Sequence, residues 1–185
     1  MALVTLKEIL ANTRKEHYAV GVFNFNGYED AQGIIQGAVS KNSPVIMMAS
    51  MGAIKYIGLR QTAGMVKGMA ESVDIPVCLH LDHATDYDLI KEAIKCGFTS
   101  VMVDASAKDY ETNIAESKAI VEFAKEYGCS VEAELGKVGG KEEHIVVEDA
   151  SATFTDPDDV PRYVEETGID ALAVGVTFAL LPKIG

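Results

Sequence analysis

Asp82 and His83 stand side by side near the end of the run Val77-Cys-Leu-His-Leu-Asp-His-Ala-Thr85. Val77, Leu79 and Leu81 alternate with Cys78, His80 and Asp82, the period-two pattern of a strand with two different faces. Pro76 marks its start, and polarity rises towards its end, so that a carboxylate and an imidazole are delivered to one rim. Such a pair supplies a general acid beside a metal ligand. The competing explanation is a strand end breaking into a polar turn, where Asp is common for its own backbone bonding.

Other apolar runs end in the same way. Asn24, Ser50, Asp104 and Glu134 each sit at or near the carboxyl end of a different strand-like segment. Ser100-Met102-Asp104 and Ser130-Glu132-Glu134 share one face of their strands, as Cys78-His80-Asp82 do, and the opposite faces carry Leu, Val and Ala suited to packing on helices. His80 and Glu132 face inward by this parity and suit a supporting task behind the rim. Asp104 and Glu134 taken alone read rather as buried carboxylates paired with barrel cations than as site residues. His17 and His144 read as surface residues, as do Lys55 and Tyr56.

The elements that must hold these residues alternate regularly. Thr5 caps an opening helix that runs to Glu16, with Glu8 at the capping-box position. Strands are predicted at 19–25, 44–49, 75–82, 99–104, 130–135 and from 170, with helices at 28–40, 59–73, 86–95, 110–127 and 155–167 between them. Gly97, Gly128 and Gly168 stop three of these helices. The segment 136–153, with Gly139-Gly140 and the acidic run Glu142-Glu143 to Glu148-Asp149, is a polar loop too long for a mere connector. Alternation of this kind gives βαβ units and a parallel α/β sheet. Polar groups converging from several strand ends favour a (β/α)8 TIM barrel, whose active site lies on that rim. A doubly wound sheet would concentrate its site at one switch point, often with a Gly-rich first turn, and Asn24-Phe-Asn-Gly27 is not one. A full barrel takes ~250 residues. The 185-residue chain therefore reads as a single partial barrel domain over 1–185 with about six of the eight βα units.

The composition excludes several function classes. A net charge of −12 argues against a nucleic-acid or anionic-membrane surface, and an anionic substrate would need a metal or helix N-termini. Cys78, Cys96 and Cys129 have no ligand-like spacing and read as reduced thiols, and neither a signal peptide nor a membrane-spanning run is visible. The cytoplasm is the expected compartment.

From the N-terminus to about Gly175 the chain resembles the class II, metal-dependent fructose- or tagatose-bisphosphate aldolases. The resemblance rests on Phe23-Asn-Phe-Asn26, Ser43-Pro-Val-Ile46, Ser50-Met-Gly-Ala-Ile-Lys-Tyr56, His80-Leu-Asp-His-Ala84, Thr99-Ser-Val-Met-Val-Asp104, Val131-Glu-Ala-Glu-Leu-Gly136 and Thr155-Asp-Pro157, in order. It implies a barrel that uses Zn2+ to cleave a ketose 1,6-bisphosphate reversibly into dihydroxyacetone phosphate and glyceraldehyde 3-phosphate. Asp82 would be the proton donor and His83 the first zinc ligand. Asp104 and Glu134 would hold a second divalent cation or an alternative position of the first, and Asn24 and Ser50 would line the substrate pocket. The resemblance also implies a flexible active-site flap at 136–153 and a homo-oligomer in full-length members. No Lys at a strand end suggests the covalent Schiff-base route.

The chain departs from the family pattern after its sixth strand. The family places one further zinc histidine in a Gly-Thr-Ala/Ser-His-Gly run and another on a seventh strand, whereas this chain reads Ala173-Val-Gly-Val-Thr-Phe-Ala-Leu-Leu-Pro-Lys-Ile-Gly185. Ala107 stands where relatives often carry a histidine. The expectation is a truncated or frameshifted frame, or a chain cut for study, with weak zinc binding and little or no turnover. The alternatives are an inactive remnant of that aldolase, or another metal-dependent barrel lyase or isomerase using the acidic trio with magnesium.

Overall fold

Capping residues set several helix boundaries in the computed structural model, which describes residues 3–136, 140–142, 145–147 and 154–175. Thr5 and Glu8 form the reciprocal box that opens α1 (Leu6–Leu10): the Glu8 amide donates to Thr5 Oγ1 at 3.1 Å and the Thr5 amide to Glu8 Oε2 at 2.8 Å. The opening helix does not run unbroken to Glu16. It turns at Ala11-Asn12 and restarts as α2 (Thr13–Glu16), because Asn competes for its own backbone and weakens a helix interior.

Strand and helix then alternate: β1 (Gly21–Asn24), α3 (Tyr28–Ser40), β2 (Val45–Ser50), α4 (Met51–Ile57), α5 (Leu59–Glu71), β3 (Val77–Ala84), α6 (Tyr87–Cys96), β4 (Ser100–Val103), α7 (Tyr110–Lys125) and β5 (Ser130–Leu135). α4 is an element that the sequence did not reveal. Ser50 caps it by accepting from the Ala53 amide at 3.3 Å, and Gly58 at φ 97° breaks it from α5. Asp86 caps α6 as expected, accepting from the Asp88 and Leu89 amides at 3.0 Å.

The expected polar loop contains a short antiparallel hairpin of β6 (Gly140–Glu142) and β7 (Ile145–Val147). The remainder of the flap expected at 136–153 lies, apart from Gly136, outside the described residues. α8 (Val160–Thr167) and β8 (Ala171–Val174) complete the described chain. The main sheet has six strands in the order β1-β2-β3-β4-β5-β8, with every neighbouring pair parallel. This is a curled half-barrel, a partial (β/α)8 barrel as the alternation predicted.

The two strand faces separate as their parity requires. Leu79, Leu81, Val101, Val103, Val131 and Ala133 are buried on the outer face in the cluster that includes Ile90 and Ile94 of α6 and Ile120 and Val121 of α7. Each Leu or Val side chain among them contributes about 1.5–3 kcal/mol by leaving water. A second, smaller cluster joins Leu6 and Ile9 of α1 to Ile46 and Cys78 at the amino-terminal ends of β2 and β3. The Val4 amide donates to the Val77 carbonyl at 2.9 Å, the Lys7 amide to Ser130 Oγ at 3.1 Å, and Lys7 Nζ pairs with Asp170 at 3.2 Å. α1 thus covers the amino-terminal mouth and leaves chemistry to the other rim. No helix among the described residues is long and apolar enough to cross a membrane.

Candidate active site at the carboxyl-terminal rim

In a regular strand two consecutive side chains point to opposite faces, so Asp82 and His83 could not both serve one rim. β3 solves this with an irregularity. Leu81 pairs with Val101 but Ala84 pairs with Val103, so the β3 segment holds one residue more than its partner. His83 absorbs the difference at φ 41°, a left-handed conformation rarely adopted by a non-glycine residue.

The result is a convergent cluster. His83 Nδ1 lies 3.1 Å from Asp104 Oδ2 and 3.4 Å from Glu134 Oε2. Asp104 follows β4 directly, and its amide donates to the Ala84 carbonyl at 2.9 Å. Its other oxygen accepts from the Ser106 amide at 3.1 Å and the Ser106 hydroxyl at 2.7 Å. Behind Glu134, the buried Asn113 donates to the Glu134 carbonyl at 2.8 Å and is itself held by the Tyr163 hydroxyl at 2.7 Å. Asn24 Nδ2 donates to Asp82 Oδ2 at 2.8 Å, tying the end of β1 to the end of β3.

Electrostatics follow from this geometry. The bond to Asp104 pushes His83 up to about 9, assisted by the charges of Asp82 and Glu134 and opposed by burial. Burial pushes the Asp104 carboxyl up, but the bonds from His83 and Ser106 outweigh it and hold the group below its ordinary value. The rim therefore concentrates negative charge on one point, where a bound metal ion would compete with the proton on His83.

The donor set suits a divalent cation. One atom each from His83, Asp104 and Glu134 lie within 4.8 Å of one another. Donors about 2.0–2.1 Å from a tetrahedral zinc stand roughly 3.3 Å apart. The 3.1 and 3.4 Å separations from His83 to Asp104 and Glu134 match that spacing.

A second polar set lies deeper inside. His80 Nδ1 is 2.8 Å from Ser100 Oγ, while its Nε2 is buried with no hydrogen-bond partner, 3.7 Å from Glu132 Oε2. Burial drives His80 down to about 3 and Glu132 up to about 6. At neutral pH the imidazole is uncharged, so the 3.7 Å approach to Glu132 is not an ion pair.

Of the residues singled out from sequence, Asp82, His83, Asp104, Glu134 and Asn24 are brought together. Ser50 sits beside Asp82 in the β2–β3 register, and its hydroxyl is engaged as the cap of α4. His17 is exposed at the end of α2, and His144 lies outside the described residues. Sequence reasoning missed Ser106 and Asn113. The signal for Ser106 was the Asp104-Ala-Ser106 turn, and for Asn113 a polar residue on the buried face of a helix.

Comparison with known proteins places these features in one family. The family model described as fructose-bisphosphate aldolase class-II matches residues 4–177. The fructose-bisphosphate aldolase of Thermus caldophilus is 45% identical over 174 residues, covering 94% of this chain and 57% of the relative. That of Staphylococcus aureus (strain Mu50 / ATCC 700699) is 45% identical over 176 residues, covering 94% and 61%. Among solved structures, the YdjI aldolase of Escherichia coli K12 superposes with a TM-score of 0.82 at 34% identity, covering 94% of this chain and 62% of that one. The fructose-bisphosphate aldolase of Campylobacter jejuni gives a TM-score of 0.78 at 28% identity, covering 94% and 59%. This chain spans 57% and 61% of the length of the two curated relatives. Half-barrel, rim and matched motifs agree: the chain belongs to the class II fructose-bisphosphate aldolase family.

Proposed function

We propose that the rim carries class II aldolase chemistry: reversible cleavage of a ketose 1,6-bisphosphate, fructose or tagatose, to dihydroxyacetone phosphate and glyceraldehyde 3-phosphate. The observation that supports this most is the convergence of His83, Asp104 and Glu134 within 4.8 Å, beside Asp82. These three residues would hold the divalent cation, zinc, which when bound polarises the ketose carbonyl as a Lewis acid. Asp104 and Glu134 also offer carboxylates for a second divalent cation or a second position of the first.

The remaining work falls to side chains of this chain. Asp82 moves the proton of the C4 hydroxyl: its carboxylate accepts that proton as the C3–C4 bond breaks and returns it in the synthetic direction. Asn24 fixes the Asp82 carboxylate by its 2.8 Å bond, leaving the other oxygen for substrate. Ser106 holds Asp104 in a single orientation, as supporting groups do for ligands. Asn24 and Ser50 line the substrate side of the rim. We assign the reaction to the cytoplasm, in keeping with the free thiols of Cys78, Cys96 and Cys129, and to homo-oligomers in full-length members.

A second reading, a catalytically silent remnant, is favoured by one observation. β1 and β8 each have a single strand neighbour among the described residues, so the described barrel wall is open. The experiment is zinc titration of the purified chain together with turnover of fructose and tagatose bisphosphates, with and without a chelator. Chelator-sensitive cleavage lost in Asp82→Ala supports the aldolase reading. Zinc bound without turnover supports the remnant, and no zinc binding sensitive to His83→Ala overturns the metal assignment.

A further inference from the structure

A buried polar network stands behind Glu134, and the rim chemistry makes no direct use of it. Asn113 and Ser117 lie one turn apart on α7, and Tyr163 reaches them from α8. All three are buried, Tyr163 completely. Asn113 Oδ1 accepts from the Tyr163 hydroxyl at 2.7 Å and from Ser117 Oγ at 3.1 Å, and the two hydroxyl oxygens are 3.0 Å apart. With its oxygen engaged in this way, the Asn113 amide turns its Nδ2 donor to the Glu134 carbonyl, 2.8 Å away.

Strand geometry explains why a helix reaches that carbonyl. Successive carbonyls of a strand point to opposite neighbours. The Leu135 carbonyl accepts from the Gly175 amide on the β8 side at 3.3 Å, so that of Glu134 faces β4. The pairing of β4 with β5 ends at Val103 and Ala133, one residue short of Glu134. Asn113 supplies the donor that β4 does not. It thereby fixes the peptide group that follows Glu134, and with it the direction in which the Glu134 side chain leaves the strand towards His83, 3.4 Å away. Packing alone does not call for polar groups here. α8 is already fastened to α7 on its outer side, where Arg162 pairs with Glu111 at 2.9 Å and lies over the Tyr110 ring at 5.2 Å. The Tyr110 hydroxyl also donates to the Asp159 carbonyl at 3.0 Å, at the start of α8. An apolar ring at position 163 would fill the same space, so the hydroxyl answers to Asn113 rather than to packing.

We propose that Tyr163 and Asn113 are positioning residues for the metal centre. The Tyr163 hydroxyl orients Asn113, and Asn113 holds Glu134 at ligand distance, so that α8 sets the geometry of one metal ligand. The role rests on the reading of His83, Asp104 and Glu134 as a divalent-cation site, and the experiment separates the two. The 185-residue chain and its variants are titrated with Zn2+ against a chromophoric chelator, and with Co2+ followed by visible absorption, whose bands report coordination geometry. Tyr163→Phe keeps the ring and should weaken Zn2+ binding roughly ten-fold and shift the Co2+ bands. Asn113→Leu, which keeps the branched shape without donor or acceptor, should weaken binding at least as much. The double variant should bind no worse than Asn113→Leu alone, because Tyr163 acts through Asn113. Tyr163→Phe decides by itself where Asn113→Leu does not fold. Arg162→Ala loosens α8 from the outside and should lower the melting temperature with Zn2+ affinity and Co2+ bands unchanged. A folded Tyr163→Phe chain with unaltered affinity and bands overturns the proposal while leaving the metal site in place. Losses that add in the double variant overturn it as well, and so does an equal loss in Arg162→Ala. No Zn2+ or Co2+ bound by the unsubstituted chain removes the cation site itself, and the positioning role with it.

Discussion

At the scale of single residues, the site depends on side chains that hold other side chains. Ser106→Ala removes both bonds to Asp104 Oδ1 if the turn relaxes, and one if it does not. It should weaken zinc binding by roughly ten-fold, measured by competition with a chromophoric chelator. His80 gives a prediction in pH. Its folded value of about 3 lies below the ordinary 6.5, so the neutral ring contributes fully above pH 6.5 and stability falls as pH drops from there towards 3. Between pH 7 and pH 5 the His80 contribution to that loss is about 2 kcal/mol, opposed in the whole protein by the raised values of Glu132 and His83, so it is read in urea unfolding as the difference from His80→Asn. His80→Asn, compared at the same two pH values, should remove that contribution; an unchanged pH dependence would assign the acid sensitivity to other groups. The inward positions 80, 82, 104, 132 and 134 were legible from period-two alternation alone. Ser106 and Asn113 were not, because a turn and a helix carry no parity signal pointing at a strand end.

At the scale of elements, caps and stops were the clearest writing in the chain. Asp86 and Gly97 bracket α6, and Gly97 sits at φ 100° with open space where a Cβ would go. Gly97→Ala therefore isolates backbone strain from steric clash and should cost roughly 1–2 kcal/mol in thermal or denaturant unfolding. α4 escaped notice because it begins directly on the last residue of β2. The polar residue that ends the strand is also its cap, so Ser50, expected at the substrate pocket, starts a helix as well. The break of the opening helix at Asn12 was hidden for a similar reason, since its capping box and apolar face are both satisfied by α1 alone. The β3 irregularity could not be foreseen. Nothing in Leu81-Asp-His-Ala84 announces an extra residue, and only pairing with β4 reveals it.

At the scale of the whole molecule, protection should grade from the edges inward. β3 has strand neighbours on both sides and helices over its outer face, whereas β1 and β8 each have one strand neighbour among the described residues. In hydrogen exchange monitored by mass spectrometry, the amides of β2, β3 and β4 should exchange last and those of β1 first. Early exchange in β3 would contradict this layering. Six repeats of strand and helix were readable because each unit carries its own periodicity, but the open wall among the described residues is a property of counting, visible only against the eight strands of a complete barrel. The separation of the two strand faces has a further consequence for how such a chain would drift. Outer residues such as Leu79, Leu81 and Val101 hold the fold, while inner ones such as Asp82, Asp104 and Glu134 contribute to the rim. A lineage that kept the fold but abandoned the reaction would lose the inner set first, at every second position. Sequencing the variants of this chain in natural populations would therefore read out its history strand by strand, with relaxed inner positions marking a remnant and unchanged ones a working rim.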